Sequence, residues 1–184
     1  MRKRVLWTSQ TKEVVSILQN EGVVKVQKKF IDRKYEESAW IFQTAYQFLS
    51  QKLEQKVARP AGAESPFWLF WDPKWAGSGA NQQLLRFAIP EEELLLFDLR
   101  KWSRVLNLSF LGTPQQQQEF EQKMRRQGIK DAMDIFETPF YPLLRQEIVQ
   151  SWDQLLDTDG LEEVYVQAAC WQLKKAWLEM PQSI

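Results

Sequence analysis

Between Val5 and Gly22 the chain fixes a sequence of local structures that the remaining residues must accommodate. Val5-Leu6-Trp7-Thr8 has the β-branched and aromatic content of a buried strand. Thr8, Ser9 or Thr11 can each cap a following helix, and Glu13 falls in its first turn. Val14, Val15, Ile17 and Leu18 make one apolar helical face, and Gly22 supplies a left-handed stop. A strand handed directly to a helix leaves Trp7, Thr8 and Gln10 at the junction, where side chains can meet a ligand. All three are candidate site residues.

Further on, apolar residues recur at helical spacing from about Tyr35 to Ala58, through Ala39, Phe42, Tyr46, Leu49, Leu53 and Val57. Trp40, Ile41, Ala45 and Phe48 widen that stripe, which predicts packing on more than one side. Strands are predicted at Val23–Val26, Phe67–Trp71, Leu84–Ile89 and Leu94–Phe97, each bounded by turn-forming residues. Asp98 should cap a helix carrying Leu99, Trp102, Val105 and Leu106. Thr113-Pro114 opens another helix through Met124, followed by a further turn or two over 129–136 and a helix over 143–156. Val164 to Trp171 reads as a strand, with a helix as the competing reading, and Gln172 to Met180 as a helix.

These elements predict a single α+β domain over 1–184. It has a central mixed or antiparallel sheet, flanking helices, a mostly helical block in 98–156, and within it an insertion-like part at about 112–156. The repeated Gly-rich turns of a doubly wound sheet are missing.

Composition removes several chemistries. There is no histidine and one cysteine, Cys170. Ser-His-Asp and Cys-His nucleophile systems and histidine-ligated zinc cannot be built, nor can an intramolecular disulfide. No ordered acidic calcium loop is present, so no metal is expected. Gly77-Ser78-Gly79 lacks the spacing and the Lys of a phosphate loop, and Glu91-Glu92-Glu93 reads as a solvated acidic turn. No apolar run approaches a membrane span, and the basic start is not followed by a signal-peptide core, so the expected location is cytoplasmic. Formal net charge is zero, which argues against nucleic acid as a partner, although residues 1–34 hold nine Lys and Arg against three Asp and Glu. Nine tryptophans are many for 184 residues; most must fill the core, and one or two can line a pocket.

The order of elements resembles an uncharacterised bacterial family, domain of unknown function 3841. Leu6-Trp7-Thr8-Ser9-Gln10, Ala45-Tyr46 and Trp68-Leu69-Phe70-Trp71 carry the likeness. So do Leu85 to Pro90, Glu93 to Asp98 with Trp102, Ser151-Trp152, and Val166-Gln167-Ala168 through Leu173. More weakly, the opening strand, Thr and Gly-stopped helix are similar to ADP-ribosyltransferase folds. That likeness implies NAD as a cofactor, with Trp7-Thr8 at the ribose motif. It further implies Tyr46 or Trp71 as the stacking ring, Gln167 as the late-strand polar residue, and Arg33 with Lys34 near the pyrophosphate. Trp7 stands where the fold has His and Gln167 where it commonly has Glu, so the resemblance implies binding with weak, altered or no catalysis.

Each of these residues also has a structural reading. Trp7 and Tyr46 fit the core, Thr8 fits a cap, and a buried Gln167 must find a hydrogen-bond partner. A non-enzymatic protein-interaction module is the alternative function, with Pro139-Phe140-Tyr141-Pro142 as its aromatic surface.

Overall fold

The computed structural model describes residues 2–26, 39–77 and 79–179. Arg33, Lys34, the start of the long helix before Ala39, Ser78 and Met180 lie outside the described residues, as do the side chains of Trp40, Ile41 and Phe42.

The first strand, β1 (Lys3–Thr11), is longer than its apolar content predicts. Its polar end is held by pairing: β1 and β4 (Gln82–Pro90) run antiparallel in unbroken register from Lys3 opposite Pro90 to Thr11 opposite Gln82. Of the three possible caps, Thr11 is the one used, its hydroxyl accepting from Val14 N at 3.4 Å at the start of α1 (Lys12–Glu21). Gly22 ends α1 at φ 78°, a conformation that costs a residue with a Cβ about 1 kcal/mol or more. β2 (Val23–Lys25) follows at once.

The long helix α2 (Ala39–Lys56) leads to β3 (Phe67–Phe70), then β4 and β5 (Leu95–Asp98). Asp98 caps α3 (Leu99–Leu106), accepting from Arg100 N at 2.8 Å. Thr113 and Gln116 form a reciprocal capping box at the start of α4 (Pro114–Arg126). α5 (Ala132–Glu137) and α6 (Pro142–Ser151) complete the helical block, and a 3-10 turn over Trp152–Leu156 closes it.

The competing readings at 164–171 resolve to a shorter strand, β6 (Val166–Cys170), with all five residues buried, while Val164 and Tyr165 belong to a 3-10 turn that precedes it. The next expectation needs correction. Gln172 to Met180 is not a helix within its described residues. β7 (Gln172–Lys174) pairs with β2, a 3-10 turn covers Lys175–Trp177, and β8 (Leu178–Glu179) pairs with Arg86 and Phe87 of β4. The helical spacing of Leu173, Ala176 and Trp177 is overridden by two unpaired strand edges that need backbone partners.

The main sheet has the order β5-β6-β3-β1-β4-β8, and every neighbouring pair is antiparallel. It is therefore the antiparallel alternative of the two that the sequence leaves open. β2 and β7 form a separate two-stranded ribbon.

The sheet divides two cores. One collects α2, the helical block and the Leu95, Phe97, Ala169 and Trp171 side of the strands. The other holds Leu18, Leu69, Phe87, Ile89, Ala168, Cys170 and Leu173. Strand alternation sends Ala168 and Cys170 to one side and Ala169 to the other, and Gln167 shares the side of Ala169.

Cys170 is 1% exposed, and burial pushes its thiol from the ordinary 9.0 up to about 12. Its Sγ donates to the Gln172 carbonyl at 3.2 Å. The folded state therefore favours the neutral thiol. That contribution is complete below pH 9 and is lost as pH climbs from 9 toward 12, at up to about 1.4 kcal/mol per pH unit. Urea unfolding at pH 8 and pH 10.5 should show a steeper loss of stability for the native protein than for Cys170→Ala. Parallel pH dependence in the two would contradict it.

Candidate functional site

β1 and β3 are neighbours in the sheet, yet a single residue pair joins them, Trp7 opposite Phe70. Beyond that pair Thr8–Thr11 and Phe67–Leu69 do not pair with each other. A cavity of about 830 Å³ lies where they part, lined by residues of both stretches. Its walls draw on both cores: Tyr46, Trp68 and Trp102 from the helical side, Val14, Ile17 and Val24 from the side of α1.

The helical wall is a cluster of rings. Tyr46 stacks on Trp102 with centroids 5.9 Å apart and planes 13° from parallel, and Trp68 stacks on Trp102 at 5.2 Å. Phe97 meets Trp68 and Trp102 edge-on at 6.1 and 5.7 Å. Such geometry is what the ring quadrupoles favour, and it holds the wall rigid.

Gln167 belongs to the same wall. The register runs Trp7, Phe70, Gln167, Phe97 across four strands, so these four side chains share one face of the sheet. Gln167 is 3% exposed, and its Oε1 has no hydrogen-bond partner among the described residues. A buried acceptor left in this state costs roughly 1–3 kcal/mol, so it calls for a reason.

Thr8 points to the opposite face, one residue beyond Trp7, and reaches the cavity because the sheet has opened there. It is 2% exposed, and its Oγ1 accepts from Gln10 Nε2 at 2.8 Å. Its own hydroxyl proton is thereby left for another acceptor. Ser9 Oγ donates to Gln82 Oε1 at 3.3 Å on the rim. Thr8 on β1 and Gln167 on β6 are separated in the sheet by β3 alone, and both line the cavity.

Of the residues singled out from the sequence, Thr8, Gln10, Tyr46 and Gln167 meet in this cavity. Trp7 and Trp71 are not in its lining. Trp7 is half-buried beneath Arg86, whose guanidinium lies 5.7 Å from the ring centroid and pairs with Glu179 at 3.1 Å. Trp71 packs at the margin of the second core. Arg33 lies outside the described residues. Trp68 and Trp102 were legible only as core residues; nothing in their spacing shows that helix α3 returns to the mouth of β3.

Charge is sparse in the lining, where Glu13 and Lys25 are the only Asp, Glu, Lys or Arg among the described residues. Lys25 Nζ already donates to the Ala61 carbonyl at 2.7 Å. No group of three or more His, Cys, Asp or Glu side chains positioned to hold a metal occurs among the described residues, and no helix among them is long and apolar enough to cross a membrane. Elsewhere in the helical block, outside the lining of the cavity, Phe140 and Leu143 are each 78% exposed, whereas Tyr141 is half-buried against the core.

Neither the curated proteins nor the solved structures contain a match to the chain. The model of one protein family, described as a domain of unknown function (DUF3841), matches residues 5–179. That span takes in both halves of the cavity, from the open end of β1 to Gln167 and the closing strands, and the chain belongs to the DUF3841 family.

Proposed function

We propose that the cavity between β1 and β3 binds a nucleotide, with NAD the candidate, and that it serves binding more than turnover. Gln167 carries the reading: a buried amide with an orphan acceptor is set beside stacked rings in a cavity of about 830 Å³. That volume lies within the range of small-molecule sites. Aromatic walls take a planar ring, and the hydroxyl and amide of Thr8 and Gln10 suit ribose hydroxyls.

Turnover finds less support. The two lining residues that the ADP-ribosyltransferase resemblance would make catalytic, Gln167 and Thr8, are a neutral amide and a hydroxyl, which bring no charge to an oxocarbenium-like centre. Glu13 sits at the exposed start of α1, and Lys25 is engaged by a backbone carbonyl. Positioning and electrostatic stabilisation are the larger parts of such catalysis, and this wall offers the first without the second.

Thermal unfolding with and without NAD tests the proposal. Ligand at a hundredfold excess over its dissociation constant should add about 2.7 kcal/mol of stability, a rise of several degrees for a domain of this size. An unchanged midpoint at millimolar NAD would contradict it.

A further inference from the structure

Where β1 and β3 part, main-chain groups are left facing the cavity, and the hydrogen bonds at the strand ends identify them. In an antiparallel ladder alternate residues turn both N–H and C=O to the same neighbouring strand. Lys12 N donates to the Asn81 carbonyl at 3.3 Å and Glu91 N to the Arg2 carbonyl at 3.0 Å, one at each end of the β1–β4 register. Thr8 and Gln10 therefore turn to β4, and Trp7, Ser9 and Thr11 turn to β3. Beyond the end of β3, Trp71 N donates to the Val166 carbonyl at 3.4 Å, so Phe67 and Leu69 turn to β6 while Trp68 and Phe70 turn to β1. Trp7 and Phe70 face each other and pair; Ser9 and Trp68, the next two in register, do not. Both line the cavity, and their N–H and C=O groups have no main-chain partner on that side among the described residues.

Apolar groups cover this gap from both faces of the sheet. Tyr46 and Trp102 stand on the helical side, and Val14, Ile17 and Val24 on the other. A slot with polar edges and apolar faces suits a flat ring that carries its donors and acceptors in its own plane.

We infer that the nucleobase of the ligand enters the gap edge-on and takes the place of the missing strand pairing, its in-plane donors and acceptors meeting the main chain of Ser9 and Trp68. The inference rests on the nucleotide reading above and names the part of the nucleotide that sits between the strands. In NAD that part is adenine, whose amino group and adjoining ring nitrogen set a donor beside an acceptor. This is the complement of the N–H and C=O that one strand residue presents. The nicotinamide ring has only C–H groups along its edge, with its polar atoms on a rotatable substituent. The ladders to β4 and β6 hold the two edges in place, so they are preorganised for a rigid partner.

Amide hydrogen exchange on the full chain tests this, with the protein free and then saturated with NAD, adenosine monophosphate or nicotinamide mononucleotide. In the free protein Ser9 and Trp68 should exchange at least about tenfold faster than Thr8 and Leu69, whose amides lie in ladders. NAD and adenosine monophosphate should each slow both amides at least about tenfold relative to those neighbours, and nicotinamide mononucleotide should not. Ser9→Pro removes a donor that the β1–β4 ladder does not use, so the strand keeps its pairing. It should weaken adenosine monophosphate at least about tenfold by calorimetry, with Ser9→Ala within about twofold of native. Protected Ser9 and Trp68 amides in the free protein, unchanged exchange with NAD bound, or slowing by nicotinamide mononucleotide and not by adenosine monophosphate would each overturn the inference while leaving nucleotide binding in place. So would a Ser9→Pro chain that binds as the native does or that fails to fold. No thermal stabilisation by NAD would overturn both.

Discussion

Trp152→Ala should remove about 3–5 kcal/mol of stability, a large share of the 5–15 kcal/mol that holds an ordinary domain together. Trp152 is fully buried and stands where α6 ends and the 3-10 turn begins. Its ring meets Phe48 of α2 edge-on at 5.4 Å and lies parallel to Phe136 of α5 at 6.1 Å, so it ties the long helix to the helical block. Its Nε1 donates to the Ser109 carbonyl at 2.8 Å. The neighbouring residues hold the same loop: Ser151 Oγ accepts from Leu111 N at 2.9 Å, and Gln154 Nε2 donates to the Leu111 carbonyl at 3.1 Å. That loop contains Leu108, fully buried at φ 53°, a left-handed conformation that persists only when its surroundings enforce it. Alanine would leave a large cavity and an unpaired carbonyl together. Urea unfolding should place the midpoint more than about 1 M below the native value, with Trp152→Phe falling between the two because it restores volume and not the hydrogen bond. A shift below about 1 kcal/mol would contradict this role.

Gln167→Leu should move stability the other way. Most substitutions of buried polar residues destabilise by breaking a hydrogen bond; here Oε1 has none to break. Leucine has nearly the same volume and would face Phe70 and Phe97. Removing an unsatisfied buried acceptor should therefore add about 1–3 kcal/mol to the unliganded protein, a rise of several degrees in the thermal midpoint for a chain of this length. The same substitution should abolish stabilisation by NAD. Gain of stability with loss of ligand is the signature of a residue kept for binding. A lowered midpoint in the unliganded variant would show that Gln167 is satisfied in the fold and that its role is structural.

The local signals of the sequence were mostly sufficient for the elements. Thr11, Gly22, Asp98 and Thr113-Pro114 act through hydrogen bonds and backbone conformations spanning a few residues, and each does in the structure what its chemistry requires. The strand at Val166–Cys170 was harder, because a short run buried on both faces has no alternation to distinguish it from a helix. The closing residues were misread for a related reason. Leu173 and Trp177 fit helical spacing, but β2 and β4 present edges whose pairing decides the outcome, and those edges lie some 150 and 90 residues earlier in the chain.

The candidate site shows the same division. Thr8, Gln10 and Gln167 stood out because polar residues in apolar or strand-end settings need partners, a local argument. The cavity itself arises from a register that stops after one pair, Trp7 with Phe70. No feature of either strand announces that stop. Trp68 and Trp102 join the wall only through the return of α3 against β3, which is tertiary information.

The most direct test is a titration of the isotopically labelled protein with NAD, followed by two-dimensional nitrogen–proton NMR. The side-chain amide pair of Gln167 and the indole N–H signals of Trp68 and Trp102 should move together and saturate with one dissociation constant, while the backbone amides of Phe140 and Leu143, exposed residues outside the cavity lining, stay fixed. Unmoved Gln167, Trp68 and Trp102 signals at millimolar NAD, or changes confined to the surface around Phe140, would contradict a nucleotide site between β1 and β3.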